Sequence, residues 1–453
     1  MRKVDWHVIP WLALLYLLNF LDRGNVGNAK LYGLEKDLGI TDRQYLIALT
    51  VFFFPYALLE PATNVLLRRL KPSYFLSFMI VSWGIVMTLH GIIHDYGGLV
   101  TCRVLLGLFE SGMYPGIVFY ISSWYKRTEL GSRVAVFFTS ATVAGAFSGL
   151  LASGIQNMHG IGGKPGWAWI FILEGLFTVI VGVLSLWVIQ DFPETAKFLN
   201  EDERAFIIRR LQSDQKISAS GEKFDAKYIW QSLKDWKTWV ASDDGPLFAF
   251  SLFTPTIINQ LGYTATIANL LSVPVYVWAC LVTLAIGFLG DRIGHRAYIN
   301  FGLFGTAGLV GYVILIASRN AALSYFAVYL AAAAWVAGNV EGVYKRGVTL
   351  AMAIGFGNLN GAVTSNVYRA TDAPWYPLGH GIVLAYIAIG FISSAVFLVG
   401  LKRANASKER GDHDEVIHGV ENKHAHEGNG TYASVEAARM DKGDRWSGFK
   451  YTY

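Results

Sequence analysis

The chain has 453 residues, of which 53% are hydrophobic and 16% charged, with a mean hydropathy of +0.37 and a formal net charge of +5. A soluble domain carries about 25% charged residues, so the composition excludes an ordinary water-soluble globule. The small net charge, with no basic, aromatic-interleaved block and most cations in segments between apolar runs, gives no sign of nucleic acid as a partner. Cys102 and Cys280 lie inside apolar runs, which excludes a disulfide framework, and no Cys/His spacing suggests a metal or a cofactor.

In chain order, Met1-Arg2-Lys3 precedes an apolar run that could imitate a secretory signal. The run leads into Asp22-Arg23 rather than a small-residue cleavage site, so it reads as an uncleaved first helix. A spanning helix needs about 20 mostly apolar residues. Six candidates fall at 8–28, 45–66, 74–93, 99–124, 133–156 and 168–190. Six more follow the polar stretch Asp191–Lys237, at 238–260, 269–290, 297–317, 322–338, 348–368 and 380–401. The expected architecture is an all-α polytopic membrane protein. It divides into an N-terminal six-helix bundle (1–190), a cytosolic central loop (191–237), a C-terminal bundle (238–401) and a disordered cytosolic tail (402–453).

Cations set the expected orientation. Arg68, Arg69 and Lys71 follow the second candidate, and Lys126, Arg127 and Arg133 lie beside the fourth. Arg292 and Arg296 follow the eighth, and Lys345 and Arg346 the tenth. Both termini and the central loop are therefore expected in the cytosol, with the membrane most simply the plasma membrane. Two sets of six also suggest an internal repeat. The joints Gly287–Ile299 and Asn64–Leu76 match at Arg292 and Arg69, although Arg68 stands where Asp291 would.

These residues carry a family resemblance. "GFLGDRIGHR" resembles the cytoplasmic loop signature G-x-x-x-D-R-x-G-R-R of the major facilitator superfamily. "NFLDRGNVGNA", "CRVLLGLFESGMYPG" and "DFPETAKFL" resemble its anion:cation symporter branch, and within it the fungal permeases for allantoate, nicotinate and pantothenate. The likeness runs from about Val4 to Leu401 and implies two six-helix bundles around a central cavity. Span five, "TSATVAGAFSGLLASGI", lacks the Gly-Pro pair of the superfamily's drug antiporters, which favours uptake by symport.

Asp22 and Arg23 interrupt the first span, and Arg103 and Glu110 the fourth. A charge at the bilayer centre costs roughly 2.5–3.5 kcal/mol on insertion scales, so such residues face a bundle interior or a cavity and find partners there. Arg103 and Glu110 are nearly two helical turns apart and share a face. Arginine offers a planar fork suited to a carboxylate. A substrate carboxylate can compete with a protein carboxylate for that fork, and protonating the acid releases it. The resemblance implies the same roles: Asp22 and Glu110 for proton coupling, Arg23 and Arg103 for substrate binding or gating. The competing reading is an ion-paired scaffold that fixes helix packing.

The resemblance also implies a cavity-facing Tyr56, with Glu60 in place of the usual glutamine, and a substrate-contacting Asn358 in the stretch N-L-x-G. Asp291 and Arg292 read as a conformational latch, and Glu174 as a packing or capping residue near a membrane face. Two spans depart from the pattern. "WVASDDGPLFAF" puts Asp243 and Asp244 a few residues into span seven. Span ten, "LSYFAVYLAAAAWVAG", precedes Asn339 and Glu341 and reaches roughly 24 Å, against about 30 Å of hydrocarbon. Relatives carry longer segments at both places.

The expected function is proton-coupled uptake of a small organic carboxylate, nicotinate-like or allantoate-like, by a monomer embedded in membrane lipid. The alternative is a non-transporting receptor or inactive relative with shortened spans. No nucleophile motif or phosphate-binding loop supports an enzyme.

Overall fold

Hydrophobic runs as long as those above can satisfy their backbone groups in lipid only as helices, and helices dominate the fold. The computed structural model of the protein describes residues 1–213, 245–293, 302, 304–337, 357–418, 422–442 and 446–450. The N-terminal half contains α1 (Arg2–Leu31), α2 (Leu34–Asp37), α3 (Asp42–Arg69), α4 (Pro72–His90), α5 (Tyr96–Glu110), α6 (Met113–Ser122), α7 (Arg127–Ile155) and α8 (Gly166–Val188). After α9 (Glu201–Ser213), the described C-terminal half contains α10 (Gly245–Gln260), α11 (Ala265–Ile293), α12 (Leu309–Ala317), α13 (Ala321–Ala337), α14 (357–364) and α15 (Pro377–Glu409). Seven helical stretches among the described residues are long and apolar enough to cross a membrane.

Local chemistry sets the ends. Thr41 and Gln44 form a reciprocal capping box at the start of α3, with Gln44 accepting from the Thr41 amide at 2.9 Å. Asp95 caps α5 by accepting from the Gly98 amide at 2.7 Å. Pro72 opens α4, where its missing N–H is not needed. The fourth expected span is two helices: α5 and α6 are separated at Ser111-Gly112, and Glu110 is the last residue of α5.

Helices α1, α3, α7, α11 and α15 overrun the expected spans, because hydropathy marks only the apolar middle and not the polar turns that continue it. Span eleven does the reverse. It was expected to reach residue 368, yet α14 stops at 364. The Asn366 amide donates back to the Ala362 carbonyl at 2.9 Å and Ser365 Oγ to the same carbonyl at 3.0 Å, offering the backbone a turn instead. The seventh and tenth spans are described only in part, as α10 (Gly245–Gln260) and α13 (Ala321–Ala337), each running up to the edge of the described residues. Trp239, Asp243, Asp244, Asn339, Glu341, Lys345 and Arg346 lie outside the described residues, as do Arg296 and 214–237 of the central loop.

Within the N-terminal half, α4 packs on α8 and α5, α3 on α5, and α1 on α7 and α8. The α4–α8 contact depends on glycine. A Cβ on Gly175 would lie 2.4 Å from the Thr88 amide nitrogen, and one on Gly84 2.8 Å from that of Val179. The two backbones touch, as small residues allow in membranes. The halves meet where α1 faces α10 and α7 faces α11. There a Cβ on Gly149 would fall 2.8 Å from the Asn269 carbonyl oxygen. At the face opposite the N-terminus, Asn269 donates to Tyr32 Oη at 3.1 Å and Asn366 to Thr50 Oγ1 at 2.7 Å. At the N-terminal face, Arg133 pairs with Asp5 at 3.0 Å and Lys3 with Glu203 of α9 at 2.7 Å.

The segment after Leu401, expected to be disordered, carries local structure in its described part. Helix α15 continues to Glu409, Val416–Ile417 pairs in parallel with Thr431–Tyr432, and α16 (Val435–Lys442) follows. Glu415, buried beneath them, accepts from Lys442 Nζ at 2.8 Å and Ser447 Oγ at 2.6 Å. These are polar contacts between residues far apart in sequence, which composition does not register.

The glycine contact is testable. Gly175→Val should lower the melting temperature of the detergent-purified protein sharply, since overpacking costs typically 1–3 kcal/mol. Gly154→Ala, whose Cβ would meet nothing within 4 Å, should leave it unchanged or slightly raised. Equal melting of the two variants would refute the backbone contact.

Candidate functional site

The charged residues singled out in the sequence converge inside the N-terminal half. Arg23 Nε donates to Glu110 Oε2 at 3.0 Å, with the carboxylate fully buried and the guanidinium side chain 12% exposed. Rings flank the same guanidinium: its carbon lies 5.0 Å from the Tyr56 ring centre and 5.5 Å from those of Phe20 and Phe52. Tyr56 lies in this group through its ring against Arg23. These rings exclude water and stack favourably on the cation.

Asp22 turns away from its neighbour Arg23. The indole Nε1 of Trp83, from α4, donates to Asp22 Oδ2 at 2.7 Å, while Oδ1 is buried with no hydrogen-bond partner among the described residues. Glu110 and Arg103 are within electrostatic range of it. Arg103 is 3% exposed, and its Nε and Nη2 have no hydrogen-bond partner among the described residues. Those two nitrogens form one edge of the guanidinium fork, the edge that takes a carboxylate side-on. Hence the structure brings Asp22, Arg23, Arg103, Glu110 and Tyr56 together, as one ion pair beside one arginine with donors to spare.

The remaining residues are placed elsewhere. Asn358, on α14, donates to Glu60 Oε2 at 3.1 Å, so the two buried side chains join the halves instead of meeting the arginines. Asp291 and Arg292 stand in the last turn of α11, and their side chains lie outside the described residues. Glu174 was expected near a membrane face, in a packing or capping role. It is instead 7% exposed in the middle of α8, accepting from the Asn25 amide at 2.8 Å and within electrostatic range of Asp22. An acid inside the apolar run "WIFILEGLFTVIVG" was the signal, since such residues turn to the bundle interior. Trp83 gave none, because a tryptophan in an apolar span looks the same whether or not its N–H is used.

Other groups complete the surroundings. His90 is buried at the end of α4, stacked on Phe171, with Nδ1 2.9 Å from the Val86 carbonyl. A void of about 20 Å³, room for one water molecule, lies between the halves among Phe20, Gly24, Ser148, Pro255 and Tyr276.

Long apolar helices in two halves, with charges enclosed in the first and polar bonds between the two, fit a multi-pass membrane protein. Residues 12–397 match the Major Facilitator Superfamily, and the chain belongs to that superfamily. It is similar to the MFS-type transporter cnsO of Penicillium expansum, with 34% identity over 91% of this chain and 85% of that one. It is also similar to the high-affinity nicotinic acid transporter of Saccharomyces cerevisiae, with 30% identity over 90% and 79%. Among solved structures, the partially occluded inward-open xylose transporter XylE from E. coli has the same fold. Its TM-score is 0.63 at 13% identity, over 87% of this chain and 97% of that one. The protein is therefore a membrane transporter of small molecules.

The buried pair gives a stability test. Glu110→Ala leaves the Arg23 charge uncompensated and should destabilise the protein by about 3–5 kcal/mol. The double variant Arg23→Met/Glu110→Leu should recover most of that loss. If the melting losses of Arg23→Met and Glu110→Leu taken singly simply add in the double variant, the side chains do not interact.

Proposed function

We propose that the protein is a proton-coupled symporter that takes up a small organic carboxylate, such as nicotinate or an allantoate-like anion, by alternating access of its two halves. The observation that carries this reading is Arg103. Its buried Nε and Nη2 donors have no protein partner among the described residues, and two acids lie within electrostatic range. A substrate carboxylate accepted on that edge compensates the guanidinium. Protonating Asp22 or Glu110 removes the competing protein carboxylate and ties anion entry to proton entry. Arg23, held by Glu110 and screened by Tyr56, is the second cation that the anion can meet once Glu110 is neutral. Asn358 and its partner Glu60 contribute from the seam, and Asp291 and Arg292 act as a latch at the end of α11. The same reading places both termini in the cytosol and a monomer in the plasma membrane.

Similarity to a nicotinic acid transporter supports the carboxylate class, and the expression test follows from it. In cells lacking their own carrier, the protein should drive accumulation of labelled nicotinate or of a competing carboxylate as external pH falls. Arg103→Lys should weaken apparent affinity about tenfold or more at equal surface expression, because a point charge cannot replace the fork. Wild-type affinity in that variant would remove Arg103 from the site. Glu110→Gln should keep exchange of substrate across the membrane while losing accumulation driven by a proton gradient. Continued accumulation would assign coupling to another acid.

The short seventh and tenth spans read in the sequence favour a second reading, a relative that binds but transports little. Lengthening both spans with the corresponding segments of a relative should raise transport if that reading holds. Equal rates for the short and lengthened forms would reject it.

A further inference from the structure

Trp11, Asp22 and Asn25 lie on one stripe of α1, and Glu174, Thr178 and Ser185 on one stripe of α8. Two bonds fix the register of these stripes. Trp11 Nε1 donates to Ser185 Oγ at 2.9 Å, and Asn25 Nδ2 to Glu174 Oε2 at 2.8 Å, so the helices run antiparallel. Read between those bonds, Asp22 comes level with the turn from Glu174 to Thr178. Helix α4 gives the same level independently. Its Trp83 donates to Asp22 Oδ2 at 2.7 Å, while the adjoining Gly84 abuts the backbone of Val179, next to Thr178.

Four oxygens in this block have no hydrogen-bond partner among the described residues: Asp22 Oδ1, Asn25 Oδ1, Glu174 Oε1 and Thr178 Oγ1. All four side chains are buried. Roughly 90% or more of buried polar groups are partnered in folded proteins, so four orphans on two facing turns need a common cause. The carboxylate and amide oxygens can only accept, and only the Thr178 hydroxyl can donate. Turning the Asn25 amide round would set its oxygen against Glu174 Oε2, which now accepts from Nδ2. No guanidinium nitrogen reaches any of the four among the described residues.

Such a set of oxygens suits a hard cation. A water molecule offers two hydrogens to three pure acceptors and no charge to two carboxylates. Among the described residues no three His, Cys, Asp or Glu side chains gather as a transition metal would need, and two carboxylates with two neutral oxygens match a single charge better than a double one. We propose that Asp22, Asn25, Glu174 and Thr178 form a binding site for one monovalent metal ion, sodium, between α1 and α8.

The inference goes beyond the proposed proton coupling and assigns Asp22 to the metal ion. Its test uses no substrate, so its failure leaves the uptake reading untouched. Binding of radioactive sodium to the purified full-length protein is measured at constant ionic strength, with choline replacing sodium. The wild type should bind sodium saturably, a single ion per chain, and that measurement requires no variant to fold. Thr178→Val, close in shape, should weaken binding about tenfold through the loss of one oxygen, and Thr178→Ser should restore it. Glu174→Gln should abolish binding, while Glu203→Gln, outside the block, should leave it unchanged. Each variant is first shown to be monodisperse. Absence of saturable binding in the wild type would overturn the proposal and leave a proton or water to serve the four oxygens. So would wild-type affinity in either Glu174→Gln or Thr178→Val, since the ion would then sit elsewhere.

Discussion

A buried guanidinium cannot shed its proton, so whatever encloses Arg23 and Arg103 must supply negative charge and keep water out. That constraint organises the N-terminal half. Glu110 meets Arg23 at 3.0 Å at the point where the fourth span divides into two helices. Three aromatic rings close over the same guanidinium, and glycines bring α4 against α8 so that Trp83 and Glu174 reach the same interior. Packing and charge are linked, because α8 packs on α1 as well as on α4, and there Glu174 accepts from the Asn25 amide at 2.8 Å.

Much of this was legible in the sequence, for a simple reason. A charge inside an apolar run is conspicuous, and Asp22, Arg23, Arg103 and Glu110 stand out for the same energetic reason that makes them converge. The mostly helical, membrane-spanning character followed from run lengths. What could not be read were relations that leave no mark on hydropathy. Trp83 is an ordinary apolar-span residue until its N–H points at Asp22. The Glu60–Asn358 bond joins residues of opposite halves and depends on how they dock. Glu174 was noticed and given the wrong surroundings, since its depth along α8 does not say which way the helix turns it.

The limits of hydropathy show at the ends as well. Span eleven ended early because Ser365 and Asn366 bond their own backbone, a choice that a mean over many residues averages away. The tail's strand pair and the bonds to Glu415 are equally invisible to composition. In both places a few specific polar contacts decide, and those are set by three-dimensional proximity.

The seam at the face opposite the N-terminus has a consequence of its own. Its bonds from Asn269 to Tyr32 and from Asn366 to Thr50 join neutral groups. When two halves part at a face that meets water, each such bond is exchanged for bonds to water, and the net difference is only about 0.5–1.5 kcal/mol. A closure made this way holds the halves in register yet releases them cheaply in either direction. It resembles a zip more than a lock, with the Arg23–Glu110 ion pair kept inside one half, where separation of the two leaves it intact.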